Sequence, residues 1–222
     1  ILFFIFFPLT LLSQNWIHYY YETTTHNSFR NNKLFYEVID FARIDYPRLN
    51  AAIFFVTNEE RVKNNLPPVE FNRILENAAS DYSKRMVRLN FFDHFDPYNE
   101  LLKSPTERLR FAGISNPYAA ENIATPFAIK YNEGVSIYPI DEKSDYFSYM
   151  PNGPAIPNHT YISLAEFVVD LWMHSEGHRA NILNPNALQM GCGTFFYREK
   201  NRIPKFMAVQ NFQLYEMIKE EE

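Results

Sequence analysis

The chain of 222 residues is long enough for one substantial domain with extensions or two small ones, and its 21 Phe and 15 Tyr can fill a packed core. A formal charge of −5, with no block of Lys or Arg, excludes a nucleic-acid surface, which needs a basic face. A single cysteine, Cys192, excludes any intramolecular disulfide.

The chain opens ILFFIFFPLTLLSQNW. An apolar run broken by one Thr stops at the small residue Ser13, ahead of a polar stretch, which is the pattern of a secretory signal peptide over residues 1–13. The run is too short for a comfortable membrane span. The missing initiator Met and basic n-region suggest truncation at the start; the alternatives are an anchor whose first half is lost, or a buried helix. Export without disulfides points to a bacterial-type secreted or envelope protein.

Residues 14–46 are polar and aromatic, with a short helix expected over Lys33–Ala42 and no other period. The segment reads as an appendage outside the core. A helix follows Pro47 through LNAAIFFVTNEERVKNN. The clearest helix runs from Phe71 to Leu89, with apolar residues at three- and four-residue steps. It breaks into the loop NFFDHFDPYNE. Ser104-Pro105-Thr106-Glu107 then supplies an N-cap, a proline at the first helical position and a capping-box acid. That short helix ends near Gly113.

AAENIATP follows, then residues 127–161, too long for an ordinary connection and read as a functional lid or an insertion. Ser163 to Glu166 reads as a capping box opening the next helix, with Glu166 as its N3 acid. That helix carries an apolar stripe of Leu164, Val168 and Leu171 that continues onto Ser175 and His178. Trp172 is expected in the core with its N–H bonded locally. Met190 to Tyr197 and Lys205 to Phe212 read as strands joined by REKNRIP, with Cys192 a small buried hydrophobe. Residues 216–222 read as a solvated acidic tail or a helix end. Helices first and strands last, with helices covering a small antiparallel sheet, give the class α+β.

His174 and His178 stand four apart in HSEGH. The zinc-protease helix needs H-E-x-x-H, with the acid directly after the first His; here it is displaced and Gly177 weakens the turn. His178 continues the apolar stripe and is the better site residue, whereas His174 lies off it. His94 sits on a loop after a strong helix, where functional side chains are commonly carried. Glu121 is an acid in an apolar stretch and needs a partner, since isolated buried charge is costly. His94, Glu121 and His178 together could hold a divalent metal such as zinc or act in acid–base chemistry. On spacing alone, a loop-capping His94 and an internally bonded Glu121 remain open.

Several segments recur in order: NEERVKNNLPPVEFNRILENAASDYSKRM, FFDHFDP, RLRFAGI, AENIA, LWMHSEGHRANILNPNALQMGCGTFF and FMAVQNF. The series resembles the CAP superfamily of cysteine-rich secretory, antigen 5 and pathogenesis-related proteins, whose module is also called the SCP domain. It is most similar to the bacterial, disulfide-free branch. The resemblance runs from about Pro47 to Phe212 and implies a domain over residues 47–215 with residues 127–161 inserted. It also implies a three-layer α-β-α sandwich around a small antiparallel sheet, with a central cleft. The cleft pattern of two His and two acids falls on His94, Glu121 and His178, with Ser175 where the second acid would stand. That departure leaves fewer ligands and implies at most weak metal binding through His94 and His178.

Three functions follow from the resemblance. The first is a binding module whose cleft, lined by His94, Glu121, Ser175 and His178, takes a small molecule, lipid, glycan or peptide. The second is a hydrolase of an extracellular or envelope polymer, with the His pair activating water and Glu121 orienting, or with Ser175 as nucleophile. The third is a structural or adhesion module.

Overall fold

The computed structural model describes residues 19–140 and 146–219; the expected signal segment, residues 1–13, and the last three residues of the acidic tail lie outside them. After a short helix α1, Tyr19–Thr23, the chain makes two 3-10 turns, Phe29–Asn31 and Lys33–Tyr36, where one regular helix over Lys33–Ala42 was expected. Asn32 explains the break: its extended backbone ends the first turn, and its side chain accepts from the Leu34 N–H to start the second.

Helix α2, Tyr46–Lys63, begins where the Asp45 side chain accepts from the Arg48 N–H, with Pro47 in the first turn. Every residue from Leu49 to Asn58 is buried. A helix that is apolar all round must be covered all round. Residues 19–45 supply one side of that cover: Phe29, Phe35 and Ile39 are at most 1% exposed and belong to the same cluster as Phe55 and Val168. Phe29 stacks on Phe55 at 5.4 Å between ring centroids. The segment is core, and its reading as an appendage is corrected.

Strand β1, Glu70–Phe71, leads through the N-cap Asn72 into α3, Arg73–Leu89, so this helix starts two residues after the expected Phe71. Helix α4, Pro105–Phe111, has the complete Ser104–Glu107 capping box. Strand β2, Ala119–Ala124, follows. Helices α5, Tyr161–Met173, and α6, Glu176–Ile182, precede the long strands β5, Ala187–Arg198, and β6, Pro204–Leu214. The strand order is β1-β5-β6-β2, parallel between β1 and β5 and antiparallel elsewhere.

Three layers result. Helix α3 lies across β5 and β6 on one face, and α2 with α5 covers the other. Gly191 and Gly193 of β5 make the first contact: a Cβ on either would stand 2.1 Å from a backbone nitrogen of α3. Between them Cys192 points the other way and is fully buried in the α2–α5 cluster, as a free thiol whose pKa burial raises.

The described residues of this stretch, 127–140 and 146–161, form an annex rather than a lid. The hairpin of β3, Tyr138–Pro139, and β4, Phe147–Ser148, packs on its own cluster of Ile129, Phe147 and Ile156. Phe127 bridges to Lys205, six residues along β6 from Asn211, the register partner of Glu121. At the strand rise of about 3.3 Å per residue, the base of the annex lies roughly 20 Å from Glu121.

Three smaller expectations are corrected. The box opening α5 is Thr160–Ser163: the Ser163 N–H donates to Thr160 Oγ1 at 3.1 Å and Ser163 Oγ accepts from the Thr160 N–H at 2.9 Å. Glu166 instead pairs with Arg30 at 2.8 Å. The Trp172 indole N–H has no partner among the described residues, because the ring is sealed inside the apolar cluster. The described part of the acidic tail is docked rather than solvated: the Ile218 N–H donates to Gln189 Oε1 and the Lys219 N–H to Asn116 Oδ1, both at 2.8 Å.

Candidate functional site

The edge strand β2 carries Glu121 and Asn122 side by side, and the pleat sends their side chains to opposite faces. Each face is thereby keyed to one histidine. On the α3–α4 face, Glu121 Oε1 lies 2.9 Å from His94 Nδ1 and Oε2 accepts from Arg108 Nη2 at 2.6 Å. On the α2–α5 face, the Asn122 amide donates to the His178 carbonyl at 3.2 Å and to Gln210 Oε1 at 3.0 Å. Gln210 passes the chain to Thr57 of α2 at 2.8 Å.

The loop that presents His94 is tied down at three points. Tyr82 donates its hydroxyl to the Asp93 carbonyl at 2.7 Å. Arg108 donates through both terminal nitrogens to the His94 carbonyl at 3.1 Å. Arg85 pairs with the buried Asp96, which also accepts from the Tyr98 and Asn99 N–H groups. The Arg108 guanidinium lies 3.4 Å above the Tyr82 ring centroid, a cation–π contact in a desolvated setting.

Helix α6 presents His178. The polypeptide does not run straight into it: α5 ends at Met173, His174 is its C-cap and Ser175 the N-cap of α6. The expected continuous stripe is therefore broken, and Leu171 is 38% exposed. His178 reaches the site because α6 is pinned separately. Asn181 donates to the Glu121 carbonyl at 3.2 Å and to Asn122 Oδ1 at 2.8 Å. The fully buried Arg61 of α2 donates to the carbonyls of Ile182 at 2.7 Å and Asn184 at 2.9 Å. His174 points away, its side chain 78% exposed beside Asp170.

The His94 and His178 rings face each other with centroids 6.4 Å apart, tilted by 52°. The Glu121 side chain is 1% exposed and that of His94 40%, so the carboxylate anchors from inside an imidazole that solutes can reach. A carboxylate only accepts, so Nδ1 of His94 carries the proton and Nε2 holds the free lone pair in the neutral ring. Burial, and then the neighbouring His94, hold the His178 pKa below its ordinary value. Ser175 makes no side-chain cap to α6, and no Ser175–His178 hydrogen bond is present among the described residues.

Among the described residues, no group of three or more His, Cys, Asp or Glu stands in position to hold a metal ion. Both Glu121 oxygens are already engaged, so its part is to orient His94. Two imidazoles sharing a zinc at ordinary Zn–N lengths would have centroids about 5 Å apart, closer than found here. Bringing the 6.4 Å pair together would need a shift of one ring.

Sequence reasoning brought out His94, Glu121, Ser175 and His178 but missed Arg108, Tyr82, Asn122 and Asn181. One signal was available. AENIA holds two adjacent polar residues in an apolar stretch, and the demand for partners applied to Glu121 extends equally to Asn122.

Among curated proteins, the chain is 33% identical over 138 residues to the uncharacterized protein YkwD of Bacillus subtilis strain 168, covering 62% of this chain and 39% of that protein. Among solved structures, it is similar to an extracellular protein containing a SCP domain from Bacillus anthracis strain Ames, with a TM-score of 0.50 and 24% identity over 76% of this chain and 41% of that one. The CAP domain of enterococcal PrgA also aligns, with a TM-score of 0.46 and 14% identity over 96% of this chain and 84% of that one. The chain thus spans less than half the length of the Bacillus proteins it resembles. Among the described residues, no helix is long and apolar enough to cross a membrane. The model of the CAP, cysteine-rich secretory protein family matches residues 54–212, well over half of the chain, and the protein belongs to that family.

Proposed function

We propose that this is an extracytoplasmic CAP-domain binding protein whose ligand, a small molecule, lipid, glycan or peptide, is held at the opening between His94 and His178. The observation that carries the reading is the pairing of two unlike imidazoles over one strand edge. One is fixed in tautomer by a buried carboxylate–arginine pair, and the other is kept neutral by burial. Such a pair offers directed lone pairs and N–H donors to a ligand's hydroxyl or amide groups. Zinc, with two imidazoles and no third protein donor among the described residues, would bind weakly and only where both rings are neutral.

Saturation-transfer NMR with soluble glycans, short peptides and micellar phospholipid tests the reading. The expected ligand perturbs the His94 and His178 Cε1–H resonances and is lost in the double variant His94→Ala, His178→Ala. Ligands that bind the protein but ignore the pair would overturn it. A second reading, hydrolysis of an extracellular polymer, is favoured by the His94–Glu121 bond, which is how an enzyme orients an imidazole base. Turnover abolished by Glu121→Gln with binding retained would move the assignment to it.

A further inference from the structure

Helices α3 and α4, with Leu102 between them in the chain, line a cavity of about 390 Å³ that the proposed function does not use. Its size falls within the range of small-molecule sites. The apolar part of its lining includes Ile74 and Ala78 of α3, Leu102, and Phe111 of α4, a residue 67% exposed. Its charged part is mainly cationic: Arg73, Arg85 and Arg108, against the single acid Asp81.

Two of these guanidiniums have unspent capacity. Arg73 has no side-chain partner among the described residues. Arg108 is 4% exposed at its side chain; both terminal nitrogens are bonded, whereas Nε is buried without a partner. A buried N–H left without an acceptor is costly, and an acceptor entering the cavity that Arg108 lines would relieve that.

We propose that this cavity is a second binding site, for a compact aromatic carboxylate whose ring lies against Phe111 and Ile74 and whose anion is taken by Arg73 and Arg108. Three residues lining it, Tyr82, Arg85 and Arg108, are the same three that tie down the His94 loop. Occupancy is therefore felt at His94 through the shared Arg108, which also holds Glu121. The site stands independently of what the His94–His178 opening binds.

The probe is 4-phenylbutyrate, titrated into the full chain by calorimetry and followed at the His94 Cε1–H resonance, with 4-phenylbutanol as the uncharged comparison. One saturable site is expected, with the alcohol weaker by about tenfold or more, since a charge-assisted bond is worth roughly one decade. Asn77→Trp and Ala112→Trp, both at exposed lining positions, fill the cavity without touching the core, and either should remove the binding while leaving the melting transition in place. His94→Ala should retain binding within about threefold, whereas an anion that had gone to the imidazoles would be lost. Absence of saturable binding, binding indifferent to both Trp variants, or equal affinity for the alcohol would each overturn the proposal.

Discussion

At the residue scale, the site turns on one buried ion pair. Glu121 and Arg108 are 1% and 4% exposed at their side chains, and each also holds His94, by its ring and by its carbonyl. Removing one partner leaves the other charge stranded. Arg108→Met is therefore expected to cost about 3–5 kcal/mol in urea unfolding, whereas Arg108→Met with Glu121→Gln should recover much of the loss. A single variant no less stable than the double would show that the pair carries no such coupling. The sequence made half of this legible. An acid inside AENIATP demands a partner, but nothing local says that the partner is thirteen residues back, on helix α4. The partner is fixed only when α4 packs against β2.

At the element scale, local chemistry was a mixed guide: the capping box of α4 held, whereas the box read at Ser163–Glu166 sits three residues earlier, and the readings that assumed continuity failed. The Ser104–Glu107 box placed the start of α4, and α2 begins at Tyr46, just ahead of the Pro47 after which it was expected. The stripe through Leu171 to His178 assumed one helix, but the chain re-starts at Ser175, and His178 arrives by the docking of α6 through Asn181 and Arg61. The core role of residues 19–45 was hidden because their aromatics sit on short 3-10 turns that show no helical or strand period. A different clue lay in α2 itself, whose apolar residues run all round it and call for cover from outside the helix. Phe35→Ala should therefore cost about 3–5 kcal/mol, as for a ring inside the core. Loss of less than about 1 kcal/mol would return the segment to an appendage. Two glycines divide in the same way. Gly193→Ala drives a methyl into the α3 backbone at Ser80 and should cost about 3 kcal/mol or more. Gly177→Ala, in α6 with open space around it, should raise stability by about 0.5–1 kcal/mol. A tolerant Gly193 in thermal melts would mean that α3 and β5 do not approach as closely as the sandwich requires.

At the scale of the whole molecule, buried titratable groups away from the site set how stability follows pH. Burial pushes Glu76 of α3 up to about 8 from an ordinary 4.5, even though the Tyr21 hydroxyl donates to it from α1. The fold prefers the protonated acid, so this contribution is complete below pH 4.5 and is lost as pH rises towards 8. His159 runs the opposite way. Burial, and then the charge of Lys130, push it down to about 4, so the stability tied to its neutral ring is present above pH 6.5 and is lost as pH falls towards 4. His178 shifts in the same direction as His159. The two trends oppose each other only between the ordinary values of the acid and the imidazoles; above pH 6.5 the loss from Glu76 acts without a histidine gain. Urea midpoints are thus expected to fall as pH rises from 6.5 to 8, the reverse of a profile set by histidines alone. Glu76→Gln keeps an acceptor for Tyr21 and has no charge to lose, so it should flatten that interval and steepen the decline as pH falls from 6.5 to 4.5. Because Tyr21 belongs to α1, the same titration should loosen the N-terminal cover of α2 first, and protection of its amides in hydrogen exchange should drop between pH 6.5 and 8 in the parent chain but not in Glu76→Gln. A parent profile that rises across the interval, or a variant that keeps the fall, would mean that Glu76 ionises freely in the folded chain and is not sealed beneath Tyr21.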